Sequence, residues 1–188
     1  VEEAPILLMQ PLQTAYIKNN PNNKSEIDNL QNGFEKITAE LSGNHMLYHY
    51  GDESIMEHFG RVKGNKLVIG KCEYGTVIMP YMKSVTESTL KLLTEFSNNG
   101  GRLYFAGEMP SLVNGKPDER LKALNAEKAD LNAIKREYGF ADISTDGKEN
   151  GNIHYTTRIA DNGDKFYYLV NLSDKEQTVT VNTGDKVY

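Results

Sequence analysis

The sequence predicts an α/β protein, a doubly wound and mostly parallel sheet followed by a small antiparallel β region. Three observations carry that reading. Four short apolar runs, Pro5–Met9, His45–Tyr50, Thr76–Met79 and Arg102–Ala106, have the continuous character of strands covered on both faces. Segments with apolar residues three and four apart alternate with them, as crossover helices do in parallel sheets. After Gly151 the periodicity drops to two, the mark of antiparallel strands with one solvated face.

The elements follow in order. Pro5–Met9 is the first strand. A polar loop, Asn19 to Asn23, leads into Ser25-Glu-Ile-Asp28, which resembles a capping box with Asp in place of Glu. Ile27, Leu30, Phe34, Ile37 and Leu41 form one helix stripe, and Gly43 is expected to end it. His45–Tyr50 is the second strand, and Asp52–Phe59 a short helix with Asp52 as its cap. Lys66–Ile69 is expected as a neighbouring or edge strand, and Thr76–Met79, bounded by Pro80, as the better central one. A helix from about Thr86 to Ser97 buries Leu90, Leu93 and Phe96, and Asn98-Asn-Gly-Gly101 stops it before Arg102–Ala106. A long charged helix is expected after Asp118, with Leu121, Leu124, Leu131, Ile134 and Tyr138 inward and Gly139 terminating it. Ile153–Ile159, Lys165–Asn171 and Gln177–Asn182 read as strands joined by short turns. The expected division is an α/β domain over 1–145 and an antiparallel segment over 152–188, with five strands in the main sheet.

Composition excludes several functions. The 188 residues are enough for a real core. A formal charge of −5 with scattered Lys and Arg argues against nucleic acid as a partner. The single cysteine, Cys72, forbids an internal disulfide. No apolar run reaches membrane-spanning length, so no membrane partner is expected. The chain starts at Val1 and ends at Val187-Tyr188 in strand-like sequence. We read it as a segment of a longer protein, for which a missing targeting signal says nothing about localisation.

In open α/β sheets, ligand chemistry sits beyond the carboxyl ends of the strands. Here those ends carry Gln10-Pro11, Gly51-Asp52-Glu53, Pro80-Tyr81 and Gly107-Glu108. Gln10 to Tyr16 contains no glycine, and Pro11 lacks an N–H, so no phosphate or flavin loop is present and no cofactor is expected. A phosphoacceptor site would need acids after the first and third strands, where Gln10-Pro11 and Pro80-Tyr81 stand. Cys72 precedes a strand rather than a helix, which does not fit the nucleophile of a glutamine amidotransferase. His45 and His49 lie about 13 Å apart on a strand, and no other histidine pair has ligand spacing, so no metal site is expected. The sequons at Asn23 and Asn171 are short patterns of high chance frequency. Asp52 and Glu53 remain, with Glu57 one helical turn beyond Glu53. Carboxylates about 5–9 Å apart serve glycoside hydrolysis, but an acidic helix start needs no function beyond capping, and that is the favoured reading here. No catalytic residue is assigned. Asp52, Glu53, Tyr48, Tyr50, Tyr81 and Glu108 are the candidates for contact with substrate or a neighbouring domain.

Three stretches together resemble a known family: Tyr48-His-Tyr-Gly-Asp-Glu53, Leu67-Val-Ile-Gly70 with Tyr74-Gly-Thr-Val-Ile-Met-Pro80, and Leu92 to Gly101 running into Gly107-Glu-Met-Pro110. They are similar to the region downstream of the catalytic barrel in large bacterial glycoside hydrolases, nearest to the α-L-rhamnosidase-like enzymes of family 106 and related uncharacterised hydrolases. There, and in some β-galactosidases, the barrel is followed by a flavodoxin-like, class I amidotransferase-like domain without amidotransferase activity, then by β-sandwich domains. Asp161 to Ser173 is similar to the opening hairpin of such a sandwich. The resemblance implies a non-catalytic accessory domain of an enzyme acting on plant or host polysaccharide, in a periplasmic or secreted protein. Its partners would be the barrel of the same polypeptide and carbohydrate. The alternative is a free-standing amidotransferase-like or small-molecule-binding protein.

Overall fold

A computed structural model describes residues 2–22, 24–145 and 152–184; the Asn23 sequon and Val187-Tyr188 lie outside them. Along the chain, β1 (Glu2–Glu3) and β2 (Ile6–Met9) precede helices α1 (Leu12–Lys18) and α2 (Ser25–Gly43). Then come β3 (Tyr48–Gly51), α3 (Glu53–Phe59), the strands β4 (Gly60–Lys63), β5 (Lys66–Ile69) and β6 (Cys72–Tyr74), and β7 (Thr76–Met79). β8 (Ser84–Val85), α4 (Glu87–Asn98), β9 (Arg102–Phe105), β10 (Leu112–Val113) and β11 (Lys116–Pro117) follow. A 3₁₀ turn (Glu119–Ala123), β12 (Ala126–Lys128), α5 (Leu131–Tyr138), β13 (Asp142–Thr145), β14 (Ile153–Ile159), β15 (Lys165–Asn171) and β16 (Val179–Asn182) complete the chain.

These elements form two compact units. The larger comprises residues 5–37 and 48–129. Its sheet runs β12-β9-β7-β2-β3, with every neighbouring pair parallel. Counted by chain order the five strands therefore stand 2-1-3-4-5, and the order reverses between the first strand, β2, and the third, β7. Right-handed crossovers then place α2 on one face and α3 and α4 on the other. All four residues of β2 and of β7 are buried, which is why those runs lack polar alternation. Leu7, Met9, Val77 and Met79 share one core with Leu90, Leu93 and Phe96 of α4.

Four expectations are corrected. Lys66–Ile69 does not border the parallel sheet. As β5 it is the middle of an antiparallel meander, β4-β5-β6, and its buried Leu67 joins the core from there. The fifth parallel strand is instead β12, inside the segment expected to be one long helix. That segment is three elements, because two aspartates start two separate turns. Asp118 accepts from Arg120 N at 2.9 Å to begin the 3₁₀ turn, and Asp130 accepts from Ala133 N at 3.0 Å to begin α5. Leu121, Leu124 and Ile134 are buried as expected, and Gly139 ends α5 with φ 58°. Helix α2 ends differently from expectation. Gly43 stays helical, and His45 takes the left-handed position at φ 56°. Met46 N donates to Leu41 O and His45 N to Ser42 O, the paired bonds of a Schellman ending. The second strand consequently begins at Tyr48 rather than His45.

The smaller unit comprises 1–4, 38–47 and 130–188. β1, β14 and β15 form an antiparallel sheet, and β13 pairs with β16. Ala141, Ile143, Ile153 and Val181 form one hydrophobic cluster in it, with Tyr155 and Tyr167 packed against them, and Leu41, Met46, Leu47 and Ile134 are buried as well.

Candidate functional site

A doubly wound sheet offers a ligand crevice where the strand order reverses. In the larger unit that point lies beyond the carboxyl ends of β2 and β7, and the chain fills it with its own groups. The sequence after β2 turns into α1, which presents Thr14, only 2% exposed. Its Oγ1 accepts from Lys83 N and Ser84 N, both at 3.0 Å, and donates to Ser84 O at 3.2 Å. One hydroxyl thereby satisfies three backbone groups of the segment that leaves β7. Ser84 Oγ accepts in turn from Gly115 N at 3.1 Å.

Glu53 makes a second link. Asp52 caps α3 as expected, accepting from Ser54 N at 2.7 Å and Ile55 N at 3.1 Å. The next residue, Glu53, is 4% exposed and points away from solvent. Its Oε2 accepts from Thr86 N at 2.7 Å, while Oε1 is buried with no hydrogen-bond partner. Thr86 is the N-cap of α4 and accepts from Thr89 N. A carboxylate from beyond the second strand thus ties down the start of the helix that follows the third. It lies where a helix favours negative charge.

Tyr81, at the end of β7, is half-buried between two glycines. A Cβ at Gly107 would stand 3.0 Å from Tyr81 Cβ and 3.1 Å from its Cα, and one at Gly33 3.2 Å from its Cβ. These glycines permit the close approach. Beside Tyr81, Lys83 and Lys18 both contact the Glu26 carboxylate, at 3.3 and 3.2 Å. The hydrogen bonds from Lys18 and then Lys83 hold the Glu26 carboxyl below its usual range. The bond to Glu26, with Tyr81 second, holds the Lys83 ammonium above its own.

The six sequence candidates are therefore not one constellation. Asp52 and Glu53 are spent on helix starts. Glu108 is exposed. Tyr50 is 49% exposed, with its ring 5.5 Å from that of Tyr48 and 5.7 Å from Phe34. Tyr48 opens β3 and so stands at the strand's amino end, away from the crevice rim. His49, on the other face, is bonded to the Tyr74 hydroxyl at 3.0 Å. Cys72 lies half-buried in β6. Among the described residues no group of three His, Cys, Asp or Glu could hold a metal ion, and no helix is long and apolar enough to cross a membrane. Sequence reasoning missed Thr14 and Ser84 and saw Thr86 only as a helix start; Gly33, a weak helix former inside the α2 stripe, is an unused signal of close packing beside Tyr81. Two hollows open elsewhere on this unit. One of about 450 Å³ lies beside α4, lined by Leu90, Thr94 and Arg120. Another of about 280 Å³ lies at the amino ends of β9 and β12.

No family model and no curated protein matches this chain. A solved structure does: the apo exo-carrageenase GH42 from Bacteroides ovatus, with a TM-score of 0.64 at 12% sequence identity. The match covers 94% of this chain but 24% of that one. The likeness is one of fold, and this chain spans about a quarter of the length of the enzyme it resembles.

Proposed function

We propose that this chain is a non-catalytic accessory module of a larger glycoside hydrolase. The observation that carries the reading is the pattern of coverage: nearly the whole chain, both units included, corresponds to a minor part of an exo-carrageenase. The sheet supports it. Strand order 2-1-3-4-5 is that of flavodoxin-like domains, the type the sequence resembles, yet the crevice such domains use for ligands is occupied by Thr14 and Glu53. A module of this kind packs against the catalytic barrel of the same polypeptide, and the antiparallel strands after residue 152 begin a β-sandwich. The parent would be an enzyme of the α-L-rhamnosidase-like or β-galactosidase-like type acting on plant or host polysaccharide, secreted or periplasmic. Asp52, Tyr81 and Glu108 would serve this role as a rim facing the barrel, with the buried Glu53 holding the start of α4 behind it and Tyr48 and Tyr50 forming an aromatic patch at β3.

The test has two arms. The complete reading frame should encode a barrel upstream of Val1. The isolated chain should show no glycoside, glutaminase or flavin-dependent turnover. Glycoside turnover abolished by Glu53→Gln, or stoichiometric retention of a flavin, would overturn the reading in favour of a self-sufficient protein.

A further inference from the structure

We propose that the outward face of the β1-β14-β15 sheet is a carbohydrate-contact surface, with Phe166 and Tyr168 as its stacking platform. The register defines the face. Phe166 stands opposite Arg158, Tyr168 opposite Thr156 and Val170 opposite His154, and Arg158 is in turn opposite Glu2. Residues directly paired across antiparallel strands share a face. The other face, with Ile153, Tyr155 and Tyr167, packs into the unit's core. A sheet with one buried face normally turns polar residues outward. Here Phe166, Tyr168 and Val170 are 51%, 52% and 53% exposed, and the two rings stand at alternate positions, about 7 Å apart along the strand.

The neighbouring column decides what the face suits. It carries a guanidinium, a hydroxyl and an imidazole, with Arg158 and His154 exposed and the Thr156 hydroxyl donating to Glu2 at 3.0 Å. Lys165 is engaged on the opposite face, 3.1 Å from the Glu3 carboxylate, whereas Arg158 makes no ion pair among the described residues. A second protein sheet laid here would bury the Arg158 guanidinium, the Glu2 carboxylate and the His154 imidazole together, which is costly. A second copy of this chain, stacked about a two-fold axis, would bury the same polar groups from both sides. A pyranose chain has the matching chemistry. Its apolar ring faces lie on aromatic side chains, and its hydroxyls both donate to and accept from Arg, Thr and His. An apolar strip rimmed by polar groups is the form ligand-binding surfaces take. The choice of carbohydrate rests on the proposed function, but the face belongs to the smaller unit, so a failed gel shift leaves the expectation of an upstream barrel untouched.

Native gels cast with soluble arabinogalactan, xyloglucan or galactomannan provide the test. The 188-residue chain should be retarded by at least one of them. Phe166→Ala/Tyr168→Ala should weaken that retardation at least about tenfold with unchanged circular dichroism, and Arg158→Ala should weaken it less. No retardation in any gel overturns the proposal, as does retardation that survives the double substitution. Sedimentation showing a concentration-dependent dimer that the double substitution abolishes would assign the face to a second copy instead.

Discussion

Thr14 and Asp52 both use a side-chain oxygen to satisfy backbone N–H groups, and they differ in burial. Asp52 is partly exposed and serves one helix start; when its oxygen is lost, water replaces it. Thr14 serves two N–H groups and one carbonyl across 70 and 69 residues of chain, with no solvent at hand. Burying such groups without partners costs far more than the net worth of the bonds. Thr14→Val, which keeps the shape and removes the oxygen, should therefore cost about 3 kcal/mol in urea unfolding. Thr14→Ser, which keeps the hydroxyl, should cost about 1 kcal/mol through its lost methyl, as should Asp52→Ala through its lost cap. If Thr14→Val is as mild as Asp52→Ala, water reaches the crevice and it is not closed.

At the scale of elements, the start of α4 is also held from outside. Arg120 places its guanidinium on Glu87 at 2.9 and 2.7 Å and on Asp118 at 2.7 to 3.1 Å, joining helix and 3₁₀ turn. Its hydrogen bonds hold the Glu87 and Asp118 carboxyls below their ordinary values of 4.5 and 3.8. Carboxyls lowered on folding stabilise fully above their unfolded values, and the gain is lost as pH falls through the folded ones. Arg120→Ala should thus lower Tm most above pH 5, with the difference fading below about pH 4 and in high salt. An equal loss at pH 3 and pH 7 would mean that Arg120 acts by packing. This clamp explains a misreading as well. Leu121, Leu124 and Ile134 are buried and Leu131 half-buried, but helical spacing over a stretch holding two capping aspartates, Asp118 and Asp130, fits two short turns around a strand as well as one helix. The strands β2, β7, β9, β14 and β15 were legible to within a residue or two, because burial writes itself into continuous or alternating patterns. The crevice was half legible. Glu53 stood out by its place after a strand, whereas Thr14 and Thr86 acquire meaning only through backbone groups brought to them by the fold.

At the scale of the whole molecule, the two units carry very different cores. In the larger, buried residues from β2, β7, α4 and β9 share one cluster. In the smaller, Ala141, Ile143, Ile153 and Val181 form a cluster with far fewer buried residues than the cluster of the larger unit. Hydrophobic stabilisation follows buried apolar area, and opening free energies vary across a structure accordingly. Amides of β14 and β15 should therefore exchange with solvent at a lower free energy than those of β2 and β7. The outer strand β12, paired on one side only, should fall between. Ile153, 1% exposed, is the place to press the argument, since its side chain contributes a large share of that cluster. Ile153→Ala should cost about 3 kcal/mol at that site. It should bring β14 and β15 exchange close to the unprotected rate while leaving Leu7 and Val77 protected. If all strands lose protection together, this cluster is part of one cooperative fold, and the smaller unit has no stability of its own to lose.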